Sequence, residues 1–290
     1  MLMMQSLAYS RRIWEETKGM MRDFFWLASA LALASCQEAE QPDQAPQAPT
    51  PPETVASGAK ESAAPAGGAR QVTEETDTFV FDYSYPQAAG DVPELAKWLD
   101  DQLTERRDAL ALSAARDKEE ARDNGFPFNK YSSNTEWEVV ADLPGWLSLS
   151  AEISTYTGGA HPNYGFDSMV WDEERNIPLE PIAFFTSPDA LDAVLGKELC
   201  EKLNQERAKR RGVPVEEGSD DPFEACVAIS EPNLLLGSAG GQKFDRIGVK
   251  IAPYIAGPWV EGSYEFTFAM TPEMLETVSP EYREIFAVGK

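Results

Sequence analysis

Alternation of apolar and polar positions dominates the chain beyond residue 77. Thr78–Tyr85 puts Phe79, Phe81 and Tyr83 on one side and Val80, Asp82 and Ser84 on the other, the period of a strand with one buried face. Pro93 stands where a helix would begin. Leu95, Trp98, Leu99, Leu103 and Leu110 follow at helical spacing, which predicts a helix to about Asn124. Its last part, Arg116–Asp123, is charged all round and is expected to project into solvent. Thr135–Ala141 and Trp146–Thr157 alternate again, with Leu143-Pro144-Gly145 as a turn between them. Asn163–Trp171 is expected to continue the sheet, and Glu173–Asn176 to form a hairpin turn. Ser187-Pro188-Asp189 opens a second long helix with Leu191, Val194, Leu195, Leu199 and Leu203 on one face. It ends in Lys209-Arg210-Arg211 before Gly212, a basic run that suits the negative end of a helix dipole. Residues 213–223 form an acidic loop. Phe244–Ile251 and Ser263–Met270 are further strands, and Thr271-Pro272-Glu273 and Ser279-Pro280-Glu281 open short helices. This order predicts an α+β fold: a mostly antiparallel sheet packed with two longer helices and short C-terminal helices. Two parts are expected, a smaller N-terminal α+β subdomain at 77–130 and a C-terminal α+β domain at 131–290.

The first 76 residues read differently. Phe24–Ala34 is an eleven-residue apolar run preceded by Arg22. That suits a signal peptide and is too short to span a bilayer as a helix. The run ends in Leu33-Ala34-Ser35-Cys36, which resembles the lipobox of bacterial lipoproteins, so Cys36 is expected to carry a lipid. The other reading is a buried apolar helix with a chance cysteine, which the polar residues after it would leave without packing partners. Glu15 and Glu16 are foreign to a signal peptide, so Met20 or Met21 is a candidate true start. Gln37 after the cysteine resembles outer-membrane sorting, which places the chain on the periplasmic face of that membrane. Residues 37–76 are rich in Pro, Ala, Gln, Glu and Gly and hold no aromatic, so they are expected to be a disordered tether. About forty such residues reach roughly 35 Å as a flexible coil.

Charge and cysteines narrow the partners. The formal charge is −24. Residues 1–35 contain four basic and three acidic groups, so residues 36–290 keep 21 basic and 46 acidic ones, a charge of −25. Such a field repels nucleic acid and attracts cationic partners, and it also serves plain solubility. With Cys36 lipidated, Cys200 and Cys226 remain, an even pair that in an oxidising compartment suggests a disulfide. In the chain-entropy model it would stabilise by about 3–4 kcal/mol.

Catalytic signatures are sparse. His161 is the only histidine, which excludes multi-histidine metal sites. A Ser-His-Asp triad would have to use it. Gly158 and Gly159 before it and Pro162 after it favour a turn with a structural or hydrogen-bonding histidine, ligand contact and catalysis being the alternatives. The acidic pairs Asp172/Glu173 and Asp220/Asp221 could mimic a glycosidase pair, but an acidic chain produces such pairs by chance. Trp259 is either a core residue or an exposed contact for a sugar or a protein. No phosphate loop, Cys-x-x-Cys or His-Glu-x-x-His is present, and no cofactor or metal is implied.

Two segments carry a family resemblance. Tyr156-Thr157-Gly158-Gly159-Ala160-His161-Pro162-Asn163 resembles a Tyr-x-Gly-Gly-Ala-His turn, and Ile251-Ala252-Pro253-Tyr254-Ile255-Ala256-Gly257 a Pro-Tyr-x-x-Gly motif. Both belong to the paired uncharacterised-function domains (DUF4163/DUF3298-like) of a lysozyme-sensing anti-sigma factor and of the non-catalytic half of a peptidoglycan deacetylase. Residues 78–130 resemble the smaller domain of the pair, without sharp motifs. The resemblance implies that Tyr156, Gly158, Gly159, His161, Asn163, Pro253, Tyr254, Gly257 and Trp259 help to shape a binding surface. No deacetylase domain and no cytoplasmic sigma-binding segment is present, so neither activity carries over. The resulting expectation is a non-catalytic cell-envelope lipoprotein that binds a lysozyme-like basic protein or the peptidoglycan glycan. A cell-wall-acting hydrolase, or an assembly or structural lipoprotein of the envelope, is the alternative.

Overall fold

A computed structural model describes residues 67–216 and 218–290. The expectations for the signal peptide, Cys36 and most of the tether lie outside the described residues. Among the described residues no helix is long and apolar enough to cross a membrane.

A six-stranded sheet runs in the order β1 (Arg70–Glu75), β2 (Phe79–Tyr85), β3 (Tyr131–Leu143), β4 (Trp146–Tyr156), β5 (Asn163–Asp172) and β6 (Ile177–Leu179). Every neighbouring pair is antiparallel except β2–β3, which is parallel with Phe79 opposite Tyr131. The connection between those two contains α1 (Gln87–Gly90) and the long helix α2 (Pro93–Asn124). Pro93 sits in the first turn of α2, where its missing N–H costs nothing. Gly125 closes the helix at φ 73°, the left-handed cap that glycine takes most readily. Leu95, Leu99, Leu103 and Leu110 of α2 are buried against Phe79, Phe81, Tyr83 and Tyr85 of β2, with Trp137, Leu149 and Trp171. Beyond Ala114 α2 has no buried residue, as the charged sequence there requires.

A second, three-stranded antiparallel sheet is formed by β7 (Asn233–Gly237), β8 (Arg246–Ile251) and β9 (Tyr264–Ala269). Helix α3 (Pro188–Arg211) begins at Ser187, whose side chain accepts a hydrogen bond from the Ala190 N–H. It buries Leu191, Leu195, Leu199 and Leu203 in one cluster with Ile247, Val249 and Ile251 of β8. Thr271 caps the short α4 (Pro272–Thr277) in the same way, and Pro280–Ile285 is a 3-10 helix. The fold is therefore α+β, a mixed sheet and an antiparallel sheet with two longer helices.

Two expectations need correction. The expected tether takes in Arg70–Glu75, yet this segment pairs along its whole length with β2. An edge strand with a single branched apolar residue, Val72, has too little alternation to stand out. The division at 130 also fails as a structural boundary. The first sheet runs from residue 70 to 179, and Ala141, Leu143 and Val170 of its β3 and β5 belong to the second cluster. Strands β3 and β5 therefore serve both cores.

Candidate functional site

The first motif is the hairpin loop between β4 and β5. Tyr156 and Asn163 are the strand residues that flank it. Gly158 takes the left-handed conformation at φ 86°, which a glycine adopts without strain. Gly159 does not use that freedom, and an added Cβ there would meet nothing within 4 Å. His161 folds back over the loop, its Nδ1 lying 3.0 Å from the Pro162 carbonyl oxygen. A carbonyl only accepts, so Nδ1 donates in this contact, and the ring turns Nε2 toward the second motif. The Tyr254 hydroxyl lies 3.4 Å from that nitrogen.

Tyr254 belongs to the second motif, so the two loops meet although 93 residues separate the partners. The contact widens at Trp259, whose ring stacks on His161 with centroids 4.2 Å apart and planes 23° from parallel. Tyr164 of β5 meets Trp259 edge-on at 6.3 Å. Trp259 thus takes neither of its two expected roles outright: it is partly buried and forms the centre of the junction. Tyr254 itself is 54% exposed and sits at φ 71°. A left-handed aromatic residue on the surface stores strain that packing does not explain. Val260, the residue after Trp259, is 84% exposed.

The second loop is held from behind by α3. Arg207 is buried. Its Nε donates to the Ala256 carbonyl at 3.0 Å, and its Nη1 to the Ala225 carbonyl and the Asn204 side chain, both at 2.9 Å. Burial pushes its pKa down from the usual arginine value. One turn later Arg211 clamps both carboxylate oxygens of Glu261 at 2.8 and 3.0 Å and reaches the Phe223 carbonyl. The Tyr264 hydroxyl donates to the same carboxylate. Burial opposes ionisation of Glu261, but these donors outweigh it and hold its pKa below the ordinary 4.5. Tyr264 is pushed up to about 12, first by burial and then by Glu261. Arg210 donates to the Glu261 and Ser263 carbonyls, both at 2.7 Å, and its guanidinium covers the Tyr264 ring at 4.0 Å. Gly257 lies where these groups converge: a Cβ there would fall 2.4 Å from a Glu261 carboxylate oxygen, which would have to shift. The basic run that suited a helix C-terminus thus also fastens the loop. The leucine face hides a second signal, Cys200, Asn204, Arg207 and Arg211 at spacings of four, three and four residues.

Cys200 and Cys226 form a disulfide, with Cα atoms 5.1 Å apart. The acidic pairs are turn elements. Asp172 is buried and accepts from the Glu174 and Arg175 N–H groups and from the Arg175 guanidinium, closing the β5–β6 turn. Asp221 accepts from the Phe223 N–H. Both ring nitrogens of His161 face a carbonyl or a phenol, partners that orient a ring for contact.

This geometry spans two stretches of chain, and one of them has known relatives. Residues 72–164 match the family model Deacetylase PdaC. The PdaC segment runs from β1 into β5, includes the whole first loop and passes through residue 130 without a break. It bears out the resemblance for this part of the chain; the second loop lies beyond it. The fold is also similar to two solved structures of the DUF3298 family. One, from Bacteroides fragilis, shares 17% identity at a TM-score of 0.46 and covers 75% of this chain and 94% of its own. The other, from Pseudomonas aeruginosa, shares 13% identity at a TM-score of 0.40 and covers 77% of this chain and 97% of its own. No curated protein matches.

Proposed function

We propose that this is a binding domain of the bacterial cell envelope, and that the junction of the two loops is its contact surface. One observation carries the reading: two motifs far apart in sequence close on each other through His161, Trp259 and Tyr254, and present a strained, exposed tyrosine. Preformed aromatic anchors on a braced loop suit recognition, because little conformational freedom is lost on contact. The PdaC match of residues 72–164 supports a cell-wall setting. The apolar run and Cys36 support attachment by a lipid, with Gln37 favouring the outer membrane.

The preferred ligand is a basic protein of the lysozyme type. The net charge of −24 favours a cationic partner. A glycan is the second reading, favoured by the ring array of His161, Trp259 and Tyr164, on which a sugar could stack.

Calorimetric titration of the full chain with a c-type lysozyme, at low and moderate salt, decides between them. Binding that weakens as salt rises is expected, since screening acts on the charged field. Absence of binding at high micromolar protein sinks the protein-ligand reading. Binding of peptidoglycan fragments with little salt dependence would then establish the glycan.

A further inference from the structure

Behind the junction, α3 presents a second polar stripe. Cys200, Asn204, Arg207 and Arg211 recur at the spacing that keeps them on one helix face. Arg207 and Arg211 reach the same two pieces of chain, Cys200 reaches one of them, and Asn204 joins Cys200 to Arg207 along the helix. Cys200 is bonded to Cys226, and Arg207 donates to the carbonyl of the adjacent Ala225. With its other edge Arg207 donates to Ala256, inside the second loop. Arg211 repeats the arrangement one turn on, joining the Phe223 carbonyl to Glu261.

We infer that Arg207 is a positioning residue that couples the Cys200–Cys226 disulfide to the closure of the His161–Trp259 contact. Burying a guanidinium is costly and is repaid only through the bonds it makes. Here those bonds unite a covalently fixed segment with a loop whose Tyr254 is strained. The left-handed Tyr254 tends to relax. The bonds at Ala256 and Glu261 oppose that relaxation, and the Ala225 and Phe223 carbonyls beside the disulfide hold the two guanidinium groups in the position from which they make them. When a dithiol reductant closes to its own disulfide, two electrons and two protons pass to Cys200 and Cys226. The 223–226 segment then keeps its hydrogen bonds and the Glu224–Arg211 ion pair but loses its covalent tie to α3. The loop drifts open, and the rings at His161 and Trp259 part. Ligand binding at this junction rests on the function proposed above, whereas closure itself does not depend on it.

The single histidine gives the test a clean reporter. The full chain is labelled at histidine and its imidazole signals are recorded by NMR. In the oxidised wild type the Trp259 ring displaces them from the positions of free histidine. Treatment with dithiothreitol, and separately Arg207→Lys, is expected to return them toward those positions while core methyl signals such as Leu195 stay put. Lysine keeps the charge but carries its donors on one nitrogen and lacks the planar fork whose Nε and Nη1 span the two carbonyls. A junction closed in one molecule in ten would weaken lysozyme binding about tenfold. Unmoved His161 signals in reduced, folded protein overturn the inference, and that measurement suffices if Arg207→Lys fails to fold. Should the wild type bind neither lysozyme nor glycan while the signals still move, the proposed function falls and the coupling stands.

Discussion

At the scale of single residues, Tyr254 poses the sharpest question. Its backbone lies at φ 71°, where a side chain costs roughly 1–2 kcal/mol relative to the right-handed region. Its ring is mostly exposed, so burial returns little of that. Tyr254→Gly is therefore expected to leave the unfolding free energy unchanged or to raise it, while removing most of the binding. Urea denaturation and titration with lysozyme check the two halves. A large loss of stability would show that the ring holds the fold together. His161 and Trp259 were legible because short glycine-rich and Pro-Tyr motifs carry their own turn chemistry. Arg207 was not legible as a functional residue. Its role depends on the carbonyls of Ala225 and Ala256, which only the folded chain brings to it.

At the scale of elements, the strands and helices that could be read were those with a strong period or a clear cap. Pro93, Ser187 and Thr271 announced their helices, and Phe79, Phe81 and Tyr83 announced β2. Strands β1 and β7 escaped, the first because it is a polar edge. The second, Asn233–Gly237, is a short apolar run without alternation. The tie between α3 and the second loop can be tested through its carboxylate. Glu261 is depressed in the folded state, so its stabilisation is present above the ordinary 4.5 and is lost as pH falls through the lower folded value. Glu261→Gln is expected to cost about 1–2 kcal/mol at neutral pH, the loss of hydrogen bonds between charged groups. It is also expected to flatten the acid side of the stability profile. Urea unfolding from pH 7 down to pH 3 measures both, and a variant as stable as wild type at neutral pH removes the brace from the account.

For the whole molecule, the parallel step in an otherwise antiparallel sheet sets an order of events. The β3–β4 hairpin closes over a turn at Gly145, a local event. Phe79 and Tyr131 are neighbours only after 52 residues have been brought round, with α2 lying on the sheet between them. Pairings of such sequence separation are slow, because the entropy of closing the loop precedes the gain from contact. Strand β2, and β1 beyond it, therefore wait for α2 to dock. Leu99→Ala in α2 is expected to slow refolding, whereas Leu199→Ala in α3 is expected mainly to speed unfolding. Stopped-flow kinetics with the disulfide intact would show this, and a Leu99→Ala effect confined to unfolding would refute it. Until α2 docks, the open edge of β3 is the most exposed strand edge of the folding chain. It is there that a neighbouring chain would have its best chance of capturing the protein in a wrong pairing.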